Sequence, residues 1–327
     1  MSHVIEIQQF GGPEVLQWVE RPVPAVGAGE VRIRHAAVGL NFIEVYQRTG
    51  LYPNVLPLVP GTEAAGVVEE VGAGVTHLSP GDRVAYATSP PGAYSQCRVM
   101  PAQSVVQLPD GIDFETAAAM MLKGLTVQYL LRSTQPVGGL QPGDFVLWHA
   151  AAGGVGLIAC QWAQAMGLQL IGTASSQAKC ELALAHGASH AINYSSEDFV
   201  ARLREITAGK GVKVVYDAIG KDTFERSLNC LSPFGLMVSF GNASGVVPPI
   251  AIGQLAAKGS LYLTRPTLFT HAAQPGRLQA MADDLFELVG SGAVRIRIDQ
   301  RFALRDAAQA HRALESRATT GCTVLLP

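Results

Sequence analysis

The 327-residue sequence predicts an α/β chain in which a doubly wound, six-stranded parallel sheet follows a separate β-rich unit. Three observations predict it. From Phe145 onward, short apolar runs alternate with helical patterns, as expected of strands joined by crossover helices. The first of those strands ends in a glycine turn that opens a helix. The residues up to about position 120 instead carry short β-rich segments cut by Pro and Gly turns.

In the leading unit, 31–34 and 66–71 read as strands, with Pro80-Gly81-Asp82 as a turn. The sheet begins at Phe145–Trp148, and a helix over 155–166 follows, closed by Gly167. Residues 168–172 form the second strand, and a helix over 177–186 is closed by Gly187. The third strand is 191–194, after which Ser195-Ser196-Glu197-Asp198 caps a helix running to Gly209. Residues 212–216, a helix from Thr223, 236–240 and 261–263 complete the six strands. Beyond them, Leu278, Met281, Leu285 and Leu288 mark one amphipathic helix, and Leu304, Ala307, His311 and Leu314 another. Cys322–Leu326 closes the chain as a strand expected to rejoin the first unit. The expected domains are therefore 1–125, 126–265 and a returning segment 266–327. An active site is expected in the cleft between the two domains, where ligands often bind.

The turn Ala151-Ala152-Gly153-Gly154-Val155-Gly156 has the layout that holds a dinucleotide pyrophosphate, with Ala151 where the usual G-x-G-x-x-G has its first glycine. Gly153 lets backbone approach the phosphates, and Gly156 lets the helix pack close to the strand. The helix N-terminus, including the amides of Ala152, Gly154 and Val155, adds donors and partial positive charge. Ligands of such sheets lie beyond the strand ends, here the turns at Ala150, Thr173, Asp217, Gly241 and Thr264. The second strand runs into Gly172-Thr173-Ala174-Ser175-Ser176, without the acidic residue that binds the ribose hydroxyls of NAD. Ser175 can hydrogen-bond a 2′-phosphate, and Lys179 can neutralise it. NADPH is thus the expected coenzyme. His149, just before the turn, takes no role from the sequence pattern.

A formal charge of −2 gives no bias toward nucleic acid or anionic membrane. Residues 145–178 contain no Asp, Glu, Lys or Arg, yet His149, Gln161, Gln164, Gln169 and several glycines interrupt any membrane-spanning run. A buried parallel sheet explains that apolarity. The start of the chain shows no basic region followed by an apolar core, so a cytoplasmic location is expected. Five scattered cysteines, Cys97, Cys160, Cys180, Cys230 and Cys322, lack the spacing of a disulfide framework or a thiolate zinc site.

The ordered motifs Gly11-Gly12-Pro13-Glu14-Val15-Leu16, Gly39-Leu40-Asn41-Phe42-Ile43-Glu44, Gly61-Thr62-Glu63-Ala64-Ala65-Gly66, Leu122-Lys123-Gly124-Leu125-Thr126, the turn above, Ser239-Phe240-Gly241-Asn242 and Leu314-Glu315-Ser316-Arg317-Ala318-Thr319 cover nearly the whole chain. In them the sequence resembles the medium-chain dehydrogenase/reductases, and within these the bacterial NADPH:quinone oxidoreductases related to zeta-crystallin. The resemblance implies a GroES-like catalytic domain and a Rossmann NADPH-binding domain. Zinc-dependent relatives carry a cysteine at the position of Asn41, a histidine at Thr62 and a third ligand near Leu122. The four-cysteine structural lobe is missing too, since Cys97 alone lies between Pro80 and Met100. No metal is expected, because an amide and a hydroxyl are poor substitutes for thiolate and imidazole.

The resemblance also implicates Asn41, Thr126, Tyr129, Phe240, Gly241, Asn242, Arg265 and Arg317 around the nicotinamide, and Tyr194 beside the adenosine phosphate. Asn41, Tyr46 and Tyr52 offer amide and phenol hydrogen bonds to a quinone oxygen. The expected activity is quinone reduction by NADPH. Two alternatives stay open: reduction of an activated carbon–carbon double bond in an enal or enone, and an NADPH-binding protein of structural or RNA-binding role. A homodimer joined edge to edge is expected from the resemblance, with 245–258 as the region to inspect.

Overall fold

The computed structural model describes Met1–Pro327. The chain divides into two compact units, one of Met1–Leu125, Ala272–Gly290 and Ile296–Pro327, the other of Thr126–His271 and Ser291–Arg295. The second unit therefore runs past residue 265 and takes back 291–295, which differs from the boundaries read in the sequence.

The first unit opens with the antiparallel pair β1 (Ser2–Glu6) and β2 (Gln17–Arg21). Next come β3 (Glu30–Leu40), helix α1 (Phe42–Arg48), β4 (Glu63–Val71), β5 (Arg83–Ala87), β6 (Cys97–Pro101), β7 (Val106–Gln107) and helix α2 (Phe114–Arg132). The eleven residues of β3 make it the organising strand. Its first half pairs with β6, and Val38 to Leu40 pair with the chain's last strand. Alternate residues Val31, Ile33 and His35 are buried, the period-two pattern of a strand with one core face. They pack with Ile5, Tyr86, Tyr94 and Leu325 in one cluster, His35 apart, which bonds Tyr86 instead.

The second unit holds β8 (Phe145–Trp148), α3 (Gly154–Ala165), β9 (Gln169–Ala174), α4 (Gln177–Ala185), β10 (His190–Asn193), α5 (Phe199–Ile206), β11 (Val212–Asp217), α6 (Phe224–Leu228), β12 (Leu231–Ser239), α7 (Gly253–Ala257) and β13 (Tyr262–Thr264). The sheet order is β10-β9-β8-β11-β12-β13, and every pair is parallel. This is the Rossmann arrangement, with its switch point between β8 and β11. Leu147, Ile171, Ile192, Phe199, Val215 and Met237 form its core.

β12 begins at Leu231 rather than 236, because Ser232-Pro233-Phe234 interrupts the apolar run while pairing continues around a register shift. β9 likewise extends through Thr173 and Ala174, both buried. The short helices α7 and then α8 (Leu268–Ala272) carry no strong period and were not anticipated. The tail supplies α9 (Arg277–Gly290), β14 (Ile298–Ala303), α10 (Ala307–Glu315) and β15 (Cys322–Leu326). β15 lies between β14 and β3, so the tail completes the first unit's seven-stranded sheet. No helix is long and apolar enough to cross a membrane.

Candidate functional site

The dinucleotide turn starts at Ala150, whose φ of 55° puts a side-chain-bearing residue in the left-handed region at a cost of about 1 kcal/mol. Its carbonyl accepts the Gly153 N–H at 3.0 Å. A Cβ on Gly156 would lie 2.4 Å from the Ala150 oxygen and 2.6 Å from the Ala151 carbonyl carbon, so only glycine lets α3 sit this close to the turn. The missing first glycine has a structural answer: a Cβ on Gly172 of β9 would come 2.6 Å from the Ala151 methyl, so a glycine on the neighbouring strand makes the room. A Cβ on Gly153 would meet nothing closer than 3.4 Å.

Helix α3 has no side-chain cap, and Gly153, Gly154 and Val155 are partly exposed while Ala152 is buried. The first-turn amides lack intrahelical partners. Those donors beside an open glycine surface fit a pyrophosphate.

At the end of β9, Ser176 caps α4 by accepting the Lys179 N–H at 3.3 Å, which places Lys179 in the helix's first turn. β10 runs alongside with Asn193 opposite Ala174, and the Tyr194 N–H donates to the Ala174 carbonyl at 3.1 Å. Ser195 Oγ donates to the Ser175 carbonyl at 2.9 Å. Ser175 and Tyr194 thus follow two adjoining strand ends, with Lys179 in the first turn of the helix after β9 and Tyr194 exposed. A hydroxyl, an ammonium and a phenol in this setting fit a phosphate better than two ribose hydroxyls.

At the end of β12, the Phe240 N–H donates to the Asp217 carbonyl at 2.8 Å, and its ring packs on Trp148 at 5.6 Å. A Cβ on Gly241 would stand 2.5 Å from the Ala218 oxygen, so this glycine admits the neighbouring backbone. Arg265 Nη1 donates to the Ser239 carbonyl at 2.9 Å. With the Asn242 amide assigned from its neighbours, nitrogen toward the Gly241 carbonyl, its oxygen accepts from Arg265 Nη2 at 3.2 Å. Arg265 therefore orients Asn242. On α2, Thr126 is partly exposed, whereas Tyr129 is buried and stacks on His271 at 4.6 Å.

The first unit gathers its polar side chains around two carboxylates that are completely buried. Glu44 Oε2 accepts the Asn41 N–H at 2.7 Å, and Oε1 accepts the Thr62 N–H at 3.1 Å and the Thr62 hydroxyl. Glu63 Oε1 accepts from Asn41 Nδ2 at 2.8 Å and Lys123 Nζ at 2.7 Å, while Oε2 accepts the Leu122 N–H at 2.6 Å. Gly39 is required beneath them, since its Cβ would come 2.2 Å from Glu63 Oε1. Burial, helped by the charge of Glu63 and opposed by Thr62, Lys123 and the Asn41 N–H, pushes the Glu44 carboxyl up to about 7. Burial works against the Lys123 ammonium, yet the charge of Glu63 leaves its pKa raised.

Asn41 and Thr62, where zinc-dependent relatives carry a cysteine and a histidine, and Leu122, near the place of their third ligand, are thus each hydrogen-bonded to Glu44 or Glu63. No group of three His, Cys, Asp or Glu side chains is placed to hold a metal ion. An amide and a hydroxyl do not fit the tetrahedral zinc of those relatives. Beside Asn41 on α1, Tyr46 is buried, with its ring 5.1 Å from Tyr52 and 6.3 Å from Phe42.

Arg317 follows α10, exposed and with φ of 59°. The end of α10 is fastened to α1 by Arg48, which binds Glu315 with two bonds of 3.0 and 2.8 Å and the Gly11 carbonyl at 3.1 Å. The guanidinium can only donate, so His311 Nδ1 accepts from it at 3.2 Å and Nε2 carries the proton toward the Tyr94 oxygen at 3.0 Å. Burial, and then Arg48, pushes the His311 pKa down to about 3. Glu44, Glu63, Lys123 and Arg48 were not picked out as site residues. The signal was their presence as charged residues inside or beside the family motifs.

Residues 154–286 match the Zinc-binding dehydrogenase family and residues 27–110 the Alcohol dehydrogenase GroES-like domain. The chain is 57% identical over the full length of both proteins to a quinone oxidoreductase of Pseudomonas aeruginosa. It is 45% identical to a 2-haloacrylate reductase of a Burkholderia species, over 98% of each chain. Among solved structures, the Escherichia coli quinone oxidoreductase complexed with NADPH superposes with a TM-score of 0.97 at 51% identity, over 99% of this chain and all of that one.

Proposed function

The chain belongs to the quinone oxidoreductases of the medium-chain dehydrogenase/reductase superfamily, and we infer that it reduces a quinone at the expense of NADPH. When bound, NADPH supplies a hydride from its nicotinamide C4. The amides at the start of α3 would hold the pyrophosphate, and Ser175, Lys179 and Tyr194 the 2′-phosphate. Phe240, Gly241, Asn242 and Arg265 would serve the nicotinamide half, together with Thr126, Tyr129 and Arg317.

The observation that carries the reading of the acceptor is the engagement of Asn41 and Thr62 by Glu63 and Glu44. An enzyme whose metal-ligand positions are tied up this way has no Lewis acid there to draw a proton from an alcohol. It suits an acceptor that is already electron-poor. The Asn41 amide, held by Glu63, and the phenols of Tyr46 and Tyr52 offer donors for a quinone oxygen that gains charge on reduction. Positioning these donors is the protein's contribution.

The Burkholderia relative supports a second reading, reduction of a carbon–carbon double bond activated by a neighbouring carbonyl group. Steady-state rates with benzoquinone, naphthoquinone and a 2-alkenal separate the two. The quinones should give the higher kcat/KM, and a preference for the alkenal would reverse the assignment. Lys179→Ala should raise the KM for NADPH about tenfold more than that for NADH. Equal changes would remove Lys179 from the phosphate site.

The homodimer is part of the same proposal. β13 is an edge strand, and Tyr262 and Leu263 on it, with Val246 and Ile252 before it, are exposed. An apolar open edge favours pairing with a second copy. Sedimentation should give a dimer that Leu263→Lys weakens.

A further inference from the structure

Resting on NADPH as the coenzyme, we propose that His149 is a positioning residue that holds the end of β9 in the form that selects the 2′-phosphate. His149, Thr173, Asp217 and Ser227 are all sealed from solvent, at no more than 2% exposed. They come from the ends of β8, β9 and β11 and from α6, and so tie together strands that end in the coenzyme turns.

The direction of each hydrogen bond follows from the one member that can only accept. Asp217 Oδ1 takes the N–H groups of Ile219 and Gly220 at 2.7 and 3.0 Å, and Oδ2 takes the hydroxyls of Thr223 and Ser227 at 2.8 and 3.3 Å. The Ser227 proton is thereby committed. Its oxygen must accept from His149 Nε2 at 2.8 Å, which leaves Nδ1 as the acceptor for the Thr173 hydroxyl at 2.9 Å. Burial lowers the imidazole pKa although Asp217 pulls it upward, in keeping with this neutral ring. Phe199 stands edge-on at 5.2 Å and fixes the ring plane.

Thr173 is where the chain of bonds reaches the coenzyme side. Its carbonyl accepts the Ala151 N–H at 3.0 Å, and Ser175 follows two residues later. The bond to His149 therefore sets the strand end from which Ser175 and Lys179 are presented. Losing it leaves a buried hydroxyl without its acceptor and frees that strand end.

The test is isothermal titration of NADPH and NADH into the parent, Thr173→Val, His149→Gln and His149→Asn. Asn keeps an acceptor at the place of Nδ1, whereas Gln keeps the donor at the place of Nε2. Thr173→Val and His149→Gln should each lower the NADPH-over-NADH affinity ratio about tenfold, and together no further, while His149→Asn keeps it within about twofold. A Thr173→Val protein that retains its circular dichroism and the parental ratio overturns the inference. Equal weakening of both coenzymes does the same. A parent that binds the two alike would instead defeat the coenzyme assignment on which the inference rests.

Discussion

Replacing Lys123 by Met removes the ammonium that faces Glu63 and leaves the methylene stem nearly unchanged. Glu63 is wholly buried, and its remaining donors are the Asn41 amide and the Leu122 N–H. Removing one partner of such a pair costs about 3–5 kcal/mol, because the other charge is stranded away from water. A unit of 150–250 residues loses about 2–4 °C of Tm per kcal/mol, so a fall of about 10 °C is expected. The assay is differential scanning fluorimetry at a fixed scan rate and pH, alongside the double variant Lys123→Met with Glu63→Gln. An uncharged amide needs no counter-ion, so the double variant should recover most of the loss. A single variant that melts within about 2 °C of the parent would refute the account, as would a double variant no more stable than the single one.

Gly156→Ala would place a methyl against the backbone at Ala150 and Ala151, atoms that cannot swing aside. The expected cost is about 2 kcal/mol with weaker NADPH binding, measured by thermal melting and titration calorimetry. For Glu44, whose carboxyl is raised from 4.5 to about 7, the folded state holds the proton more tightly than the unfolded chain. Its contribution to stability is complete below pH 4.5 and is lost as pH rises through 7, by at most about 3 kcal/mol. Glu44→Gln should flatten the fall in Tm between pH 5 and 8, and an unchanged slope would assign that fall to other groups.

The doubly wound sheet was legible because its strands and most of its crossover helices carry their own signals: an apolar run, a glycine stop, a capping serine or aspartate. Parallel strands buried on both faces need little else. The glycine turn was legible as a turn, but the reason for Ala151 in it lies on another strand, at Gly172, which pairs with β8 only after folding. The boundaries of β9 and β12 were missed for a related reason. Polar Thr173 looks like loop until β10 claims it, and Ser232-Pro233-Phe234 looks like loop because only the residues on either side of it, Leu231 and Leu236, pair with β11.

The polar lattice in the first unit is of another kind. Glu63 reaches 22 residues back to Asn41 and 59 and 60 residues on to Leu122 and Lys123. No local pattern encodes a partner at such range, and each of these charges read singly suggests a solvated surface. What the sequence did offer was an anomaly: an amide and a hydroxyl at positions that hold zinc ligands in relatives, each beside or near a glutamate in a glycine-bounded motif. Filling that place with a buried ammonium and two carboxylates requires every member to be satisfied at once, because a half-satisfied set is costlier than an apolar one. The lattice is therefore best regarded as one unit whose product is the orientation of Asn41, with Glu44 holding its backbone and Glu63 its amide. On the role proposed for Asn41, a substitution at Lys123 should lower kcat/KM for a quinone through Asn41 in steady-state assays, although Lys123 itself is bonded to Glu63.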